Sequence, residues 1–160
     1  MDVVVRRMRE GDIDGMVRVY LDCFRGMRDP KLVEEWMMCN YRAYPRMQYF
    51  VAEKDGRVVG YILWVEKGGF RKEAVLELEQ IGVLKEFREK GVGSRLVLES
   101  LKEMRRYLNE RGSKLKLVEV TTGTSNKAQR LYEKTLKAKP ECVIRNLYRG
   151  DELIMIARFL

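Results

Sequence analysis

The segment from Gln80 to Arg95 limits the possible folds more than any other part of the chain. It reads QIGVLKEFREKGVGSR, so a β-rich run passes through a short charged loop directly into a periodic helix. Gly91 and Gly93 stand at the helix start, where glycine permits a tight turn and lets an anion approach the backbone amides. The free N–H groups and the dipole of a helix N-terminus favour phosphate. The pattern predicts an anion site, and the alternative is an ordinary turn before an amphipathic helix.

Positive charge is concentrated on the same segment. The chain has 160 residues, with 32 Lys and Arg against 24 Asp and Glu and a net charge of +8. Residues 85–116 contain ten basic and five acidic residues, and Arg88, Lys90 and Arg95 lie beside the glycines. The segment has no G-x-x-x-x-G-K-[ST] run, and it has no third glycine with a suitably spaced acidic residue. These absences argue against a P-loop and against a dinucleotide fingerprint.

Hydrophobic periodicity divides the chain into eleven predicted elements with no linker and no internal repeat. The strongest helix carries Val97, Leu101, Met104 and Leu108 at helical spacing, and Gly112 ends it. The predicted strands are 3–5, 48–54, 57–66, 73–83, 116–121, 143–148 and 153–159, the predicted helices are 12–24, 30–44, 92–111 and 126–137, and hairpin turns are predicted at Asp55-Gly56 and Arg149-Gly150-Asp151.

The order β-α-α-β-β-β-α-β-α-β-β predicts an α/β fold, because helices that alternate with strands pack against a mixed sheet. A length of 160 residues corresponds to a single domain over residues 1–160. Asp12 is placed to cap the first helix, and Pro30 suits the first turn of the second.

Several classes of chemistry are excluded by composition. The chain has no histidine, so Ser-His-Asp catalysis, Cys-His catalysis and His-ligated zinc are absent, and we expect no metal. Cys23, Cys39 and Cys142 form no C-x-x-C pair and suit free, buried thiols in a reducing cytosol. The N-terminus has no long apolar stretch typical of a signal peptide, and no apolar run approaches ~18 residues. We therefore expect a cytoplasmic protein without a membrane span.

Two motifs resemble those of the GCN5-related N-acetyltransferases (GNAT). The run Arg88-Glu89-Lys90-Gly91-Val92-Gly93 resembles the Q/R-x-x-G-x-G/A signature of that family. Ile81-Gly82-Val83 lies where the cofactor-facing strand of the family lies, and residues 126–132, NKAQRLY, resemble its second motif. The element order matches over nearly the whole chain. The resemblance implies the acyl-CoA N-acyltransferase fold, with a central, mostly antiparallel sheet flanked by helices.

The resemblance also implies a role for each matched residue. The backbone amides of Arg88, Glu89, Lys90, Gly91, Val92, Gly93 and Ser94 are expected to hold the pyrophosphate of acetyl-coenzyme A. The strand at Ile81, Gly82 and Val83 is expected to pair with the pantetheine arm. Asn126 is expected to bond the pantetheine, and Tyr132 to act as general acid on the sulfur.

The chain departs from the family pattern at two places. Many members have Pro two residues after the strand valine, where this chain has Lys85. Many have Gly-Phe shortly after the tyrosine, where this chain has residues 136–140, LKAKP. The second departure affects the path of the chain after Tyr132 and therefore the placement of that side chain.

The same residues also have local structural interpretations. Asn126 with Gln129 three residues later resembles a helix cap with its capping-box partner. Tyr132 shares a helix side with Ala128 and Leu131, so it is also interpretable as a packing residue. Ile81 and Val83 suit the apolar positions of any strand.

The general base must be a carboxylate, a lysine, a tyrosine or a relayed water, since histidine is absent. Glu77 and Glu79 lie two residues apart on a predicted strand and share its face, and solvated surface carboxylates are the alternative. Acidic and aromatic residues on the second helix favour an acceptor that is a cationic amine or a protein N-terminus: Glu34, Glu35, Trp36, Tyr41 and Tyr44.

These features predict an N-acetyltransferase that uses acetyl-coenzyme A and in which the amine attacks the thioester directly. The alternatives are a non-catalytic acyl-coenzyme A sensor of the same fold and a basic nucleic-acid-binding domain. We favour neither nucleic acid nor membrane as a partner, because the charge lies beside the glycines and no helix-turn-helix or zinc pattern is present. Relatives are often dimers, so a homodimer is also an expectation.

Overall fold

The computed structural model describes residues 2–160 and contains, within them, seven strands and four α-helices in the predicted order, together with short 3-10 helices at Glu10–Asp12 and Lys85–Phe87. The bounds are β1 Val4–Arg7, α1 Ile13–Cys23, α2 Pro30–Arg42, β2 Met47–Lys54, β3 Arg57–Lys67, β4 Glu73–Val83, α3 Val92–Glu110, β5 Lys114–Gly123, α4 Gln129–Leu136, β6 Lys139–Ile144 and β7 Glu152–Arg158.

The strands form one seven-stranded sheet in the order β1-β2-β3-β4-β5-β7-β6. The pair β4–β5 is parallel, whereas β1–β2, β5–β7 and β6–β7 are antiparallel. The predicted α/β class, with a mostly antiparallel sheet flanked by helices, is confirmed. No helix within residues 2–160 is long and apolar enough to cross a membrane.

Tertiary contacts divide the chain into two compact units, each made of two segments. Unit 1 consists of Met1–Trp64 and Gln80–Ser100 as far as they are described, and unit 2 consists of Val65–Glu79 and Leu101–Leu160. The expectation of a single domain over residues 1–160 stays a prediction.

Unit 1 has an apolar core built from α1, α2 and the strands β2 and β3. Met16 and Met37 are fully buried, and Phe50 is 1% exposed. The Trp64 indole is also fully buried, and its Nε1 donates a hydrogen bond to Ser100 Oγ at 2.8 Å. That bond satisfies the one polar atom of the indole and fixes the N-terminal half of α3 within this core.

Unit 2 has its own core, in which Leu76, Leu108 and Met155 are fully buried. A buried ion pair closes one end of it. The Arg111 guanidinium donates to Glu66 Oε2 at 2.7 Å and lies 4.4 Å from the ring centroid of Phe70. This pair joins the residue after α3 to the end of β3.

The last hairpin differs from the prediction. The strand predicted at 143–148 is β6 at Lys139–Ile144, and residues 145–150 form a turn followed by bends. Lys137 caps α4 in the left-handed conformation with φ 58°, so the chain turns sharply after Leu136 and enters the sheet earlier. Pro140 is tolerated within β6 because β6 is an edge strand.

The sequence predicts that Asp12 caps α1, but its side chain makes no capping hydrogen bond to the first turn of that helix. Its carboxylate accepts two hydrogen bonds from the Arg6 guanidinium, both at 2.8 Å, and one from the Arg9 backbone N–H at 2.7 Å. Burial alone raises the pKa of Asp12, but the hydrogen bonds from Arg6 and Arg9 outweigh it and the pKa lies below its ordinary value. The carboxylate therefore ties β1 to the start of α1.

Asp12→Asn is expected to lower the free energy of unfolding at neutral pH by about 2 kcal/mol, because it removes one charge from a largely buried bidentate pair. Since the folded-state pKa of Asp12 is lowered, its contribution is present above the unfolded pKa of about 4 and is lost as the pH falls through the folded pKa. Urea unfolding at neutral and acidic pH measures this difference. Asp14→Asn, at an exposed position in the same helix turn, is the matched control. An Asp12 variant as stable as the Asp14 variant at neutral pH would contradict this account.

Candidate active site

The glycine turn of unit 1 has the backbone that the sequence predicts. A short 3-10 turn at Lys85–Phe87 follows β4, and α3 begins at Val92. Between them, Glu89 and Gly91 adopt left-handed conformations, with φ 57° and φ 82°. A side chain is strained at such an angle, which explains the glycine at position 91. A Cβ at Gly91 would meet no atom within 4 Å, so open space lies above this turn.

The amides of this turn point to no protein acceptor. The N–H groups of residues 89–94 have no hydrogen-bond partner among the described residues 2–160, and the first helical bond runs from Arg95 N to Gly91 O at 3.0 Å. Successive N–H groups in alternating right- and left-handed conformations form a concave anion site. The arrangement can therefore hold a phosphate through backbone alone.

The basic side chains beside the turn are engaged elsewhere. Arg88 Nε donates to Val83 O at 2.8 Å, and Arg95 Nε donates to Glu99 Oε1 at 2.7 Å. Lys90 Nζ donates to Glu86 O at 2.9 Å. Each of these three side chains thus bonds a protein partner beside the turn.

The C-terminal end of β4 packs tightly against α1. A Cβ at Gly82 would lie 3.1 Å from Cys23 Sγ and 3.2 Å from Val19 Cγ1, so the close approach requires glycine. The Cys23 thiol donates to Val83 O at 3.3 Å. Burial raises the pKa of this thiol, and the hydrogen bond from Arg88 only partly offsets that effect. Of the other two cysteines, which the sequence predicts to be buried, Cys39 and Cys142 are both exposed.

The ladder between β4 and β5 ends early. Its register runs from Glu73↔Lys114 to Glu77↔Glu119, although β4 continues to Val83. The residues predicted to contact the cofactor, Ile81, Gly82 and Val83, therefore lie beyond the last pair with β5. Backbone groups of a strand that leaves its neighbour are available to pair with an extended ligand.

Glu77 and Glu79 lie on one face of β4, as the sequence predicts, since their neighbours Leu76 and Leu78 are buried and they are not. Glu77 is half-buried and accepts from Lys67 Nζ at 3.0 Å. Lys67 also contacts Glu119, the register partner of Glu77, at 3.1 Å. A like-charged pair on adjacent strands is thereby neutralised by one lysine. Glu79 is exposed.

Asn126 lies in the turn before α4, in unit 2. Its Oδ1 accepts from Ala128 N at 2.9 Å, and α4 begins at Gln129 and not at Asn126. The Gln129 amide donates to Gly123 O at 3.1 Å and Thr124 O at 2.9 Å, so it does not reach back to the Asn126 N–H as a capping box requires. The side-chain oxygen of Asn126 is used locally, and its amide group is exposed.

Tyr132 lies on the buried face of α4 and is 5% exposed, together with Leu136 one turn later. Burial raises the pKa of its phenol to about 12. Within residues 2–160 no hydrogen-bond partner is found for its hydroxyl. The group is thus a protonated donor at neutral pH, which is the form that a general acid needs.

A cavity of about 380 Å³ lies within unit 1, beside β4. The sequence predicts that Glu34, Glu35 and Trp36 of α2 line an acceptor pocket. Trp36 lines this cavity, whereas Glu34 and Glu35 do not. Tyr41 and Tyr44 line a different cavity, of about 350 Å³. The other lining residues were not identified from the sequence, because the packing of α1, α2 and β4 brings them together and no local pattern marks them: Tyr20, Met27, Leu32, Val33 and Gln80.

Two relatives are similar to this chain over most of its length. An uncharacterized N-acetyltransferase of Archaeoglobus fulgidus is 31% identical over 146 residues, which are 86% of this chain and 94% of that protein. A second uncharacterized N-acetyltransferase, from Methanocaldococcus jannaschii, is 24% identical over 153 residues, covering 91% of this chain and 64% of that protein.

Solved structures share the fold at lower identity. Ard1 from Thermoplasma volcanium superposes with a TM-score of 0.75 at 19% identity, covering 100% of this chain and 99% of that one. A chain of the NatC complex, solved bound to Gag peptide and CoA, has a TM-score of 0.77 at 14% identity, with both chains covered completely.

The sequence of residues 13–137 matches the Acetyltransferase (GNAT) family, over most of the chain and across the glycine turn, β4 and α4. The chain belongs to the GNAT family of acetyltransferases.

Proposed function

We propose that this protein transfers the acetyl group of acetyl-coenzyme A to a primary amine by direct attack of the amine on the thioester. The observation that carries the proposal is the turn at residues 88–94, where unpaired amides and a left-handed Gly91 face open space. Acetyl transfer from acetyl-coenzyme A is the common activity of the GNAT family, and a neighbouring structure was solved with CoA. The family match crosses both units, which supports one domain over residues 1–160.

The backbone of residues Arg88 to Ser94 binds the pyrophosphate in this proposal. Six of these amides, from Glu89 to Ser94, have no acceptor among the described residues, so they can donate to phosphate oxygens without breaking a bond. The helix dipole of α3 adds a favourable field at the same place. The Arg88 side chain acts indirectly, because it holds Val83 O and so fixes the end of β4 against the turn.

Residues Ile81, Gly82 and Val83 bind the pantetheine arm and hold the thioester. They follow the last β4–β5 pair, so strand pairing with an extended arm is available there, except at Val83 O, which accepts from Arg88 Nε and Cys23 Sγ. Holding the thioester in a fixed position beside the amine lowers the entropic part of the barrier. Asn126 contributes its exposed amide to the same arm, as the family resemblance implies.

Tyr132 protonates, or donates a hydrogen bond to, the departing sulfur. Its raised pKa keeps the phenol protonated at neutral pH, and its hydroxyl has no competing partner within residues 2–160. An acyl-cysteine intermediate is disfavoured, because burial keeps the Cys23 thiol protonated.

Glu79→Gln is expected to lower kcat by about 10²-fold, as is typical when a general base is removed. The loss of kcat should be largest at a pH below the pKa of the acceptor amine. There the amine is protonated, and the base must remove its proton before the amine can attack. Glu77→Gln is expected to lower kcat as well, since Glu77 lies on the same face of β4. The measurement is kcat against pH from about pH 6 to 9 with one amine.

Glu73→Gln, at an exposed carboxylate on the same strand, is the control and should keep full activity. If the Glu77 and Glu79 variants both keep full activity across this range, then neither carboxylate is the base, which is instead a water chain or a group elsewhere.

The proposal as a whole is tested by release of free coenzyme A thiol with a panel of amines, together with calorimetry for acetyl-coenzyme A. Binding with amine-dependent thiol release is the expected result. Binding without turnover by any amine would instead indicate a sensor, and absence of binding would remove the proposal.

A further inference from the structure

The 380 Å³ cavity of unit 1 is lined mostly by apolar side chains that are unusually exposed. Met27, Leu32 and Trp36 are between 43% and 49% exposed, although all three are large and apolar. They come from α2 and the loop before it, and Tyr20 and Val33 form the buried wall behind them. Large apolar side chains gathered at one concave place are typical of a ligand site.

The lining carries no charge. Its six residues are aromatic, aliphatic or amide side chains, and the exposed Glu34 and Glu35 of α2 are not among them. An ammonium group loses its hydration on entering such a cavity and gains no carboxylate there. The cavity therefore disfavours the second amine of a polyamine and favours an apolar group.

Gln80 connects the cavity to the strand that binds the thioester in the proposed function. It lines the cavity and directly precedes Ile81. The buried Tyr61 hydroxyl donates to Gln80 Oε1 at 2.5 Å, which fixes the side-chain amide. With its oxygen taken, the amide presents its NH2 as a donor, and a carbonyl group next to the acceptor amine fits that donor.

We propose that this cavity binds the side chain of the acceptor, and that the acceptor is an α-amine beside a large apolar side chain and a carbonyl group. Leucine, methionine or phenylalanine as an amino-acid amide or as the first residue of a peptide has this chemistry. A volume of about 380 Å³ is at the small end of ligand cavities, which suits one such residue. This inference rests on the proposed function.

The test compares kcat/KM for leucinamide, phenylalaninamide, glycinamide and spermidine. The two apolar amides should exceed glycinamide by about tenfold or more, since each apolar group buried in a fitting pocket contributes discrimination of that order. Equal or higher kcat/KM for glycinamide or spermidine would overturn the inference. Peptides that begin with leucine or phenylalanine distinguish a protein acceptor from a free amino-acid derivative. A higher kcat/KM for the peptide than for the corresponding amide indicates a protein N-terminus, and an equal or lower kcat/KM indicates the free derivative.

Two variants locate the effect. Trp36→Ala should remove most of the preference for phenylalaninamide over glycinamide, whereas Tyr148→Ala, at a side chain that is 73% exposed and outside this cavity, should leave it unchanged. Leu32→Glu, at a half-exposed lining position, should move the preference toward spermidine. An unchanged preference in both lining variants would show that the cavity does not select the acceptor.

Direct binding separates this inference from the proposed function. The chain has two tryptophans, Trp36 at the cavity and the fully buried Trp64, so a fluorescence change that is lost in Trp36→Ala reports on the cavity. A saturable change with phenylalaninamide but not glycinamide supports the inference even if no acetyl transfer occurs. Acetyl transfer without any such change, and with spermidine preferred, supports the proposed function and overturns the inference.

Discussion

Gly91→Val is expected to abolish measurable binding of coenzyme A while the protein stays folded. Gly91 has φ 82°, an angle that costs a β-branched residue about 1–3 kcal/mol. A new side chain meets no protein atom within 4 Å, so no core contact is broken. It would instead stand in the open space over the unpaired amides, where the pyrophosphate is proposed to lie. Calorimetry with coenzyme A measures the affinity, and thermal unfolding measures the stability.

Gly112→Val is the matched control. Gly112 also has φ 82° and open space at its Cβ, but it follows the C-terminal end of α3. The two variants should lose similar stability, and only the Gly91 variant should lose affinity. Gly93→Val is expected to lose affinity as well, because Gly93 lies in the first turn of α3. A folded Gly91 variant with unchanged affinity for coenzyme A would remove the anion site from the proposal.

Tyr132→Phe is expected to lower kcat by about 10²-fold or more and to leave the affinity for acetyl-coenzyme A nearly unchanged. Phenylalanine keeps the buried ring and its packing in α4, so the melting temperature should change little. The hydroxyl is proposed to matter only as the sulfur gains negative charge, which is why binding of the ground state is spared. Single-turnover measurement of thiol release gives the rate of the chemical step.

The pH dependence follows from the raised pKa. Because the pKa of Tyr132 is about 12, its hydroxyl is protonated throughout the neutral range and donates equally well at each pH. The Tyr132 variant should therefore be slower by one constant factor, without a new break in the pH profile. Tyr148→Phe, at a side chain that is 73% exposed, is the control. An unaltered rate, or lost activity together with a large loss of melting temperature, would favour the packing interpretation.

Local sequence patterns determine much of this protein. The pair Asp55-Gly56 forms the hairpin turn predicted for it, with φ 50° and 75°, since both residues tolerate a left-handed backbone. The glycine at position 91 and the helix start at Val92 were likewise predictable, because the conformation of a turn and the periodicity of a helix depend on neighbouring residues. The two family motifs, residues 88–93 and 126–132, are also short local segments, and the resemblance that they carry predicted the fold.

Element ends were less predictable where tertiary context competes with local preference. Valine, isoleucine and tyrosine in residues 143–148 favour a strand, yet the strand is Lys139–Ile144. The left-handed Lys137 decides this, because it sets where the chain leaves α4 and meets β7. Asp12 had the sequence position of a helix cap, but Arg6, on the preceding strand, takes its carboxylate.

Only the tertiary structure decided how the charged and apolar side chains are used. Contacts with Val83 O and with Asp22, 66 residues earlier, set the direction of the Arg88 guanidinium, which the motif alone does not specify. Glu77 gained Lys67 and Glu119 as neighbours through strand pairing. The 380 Å³ cavity joins residues from α1, the loop before α2, α2 itself and β4 that are up to 60 positions apart, from Tyr20 to Gln80. Such contacts depend on the packing of whole elements, which local periodicity and turn chemistry do not encode.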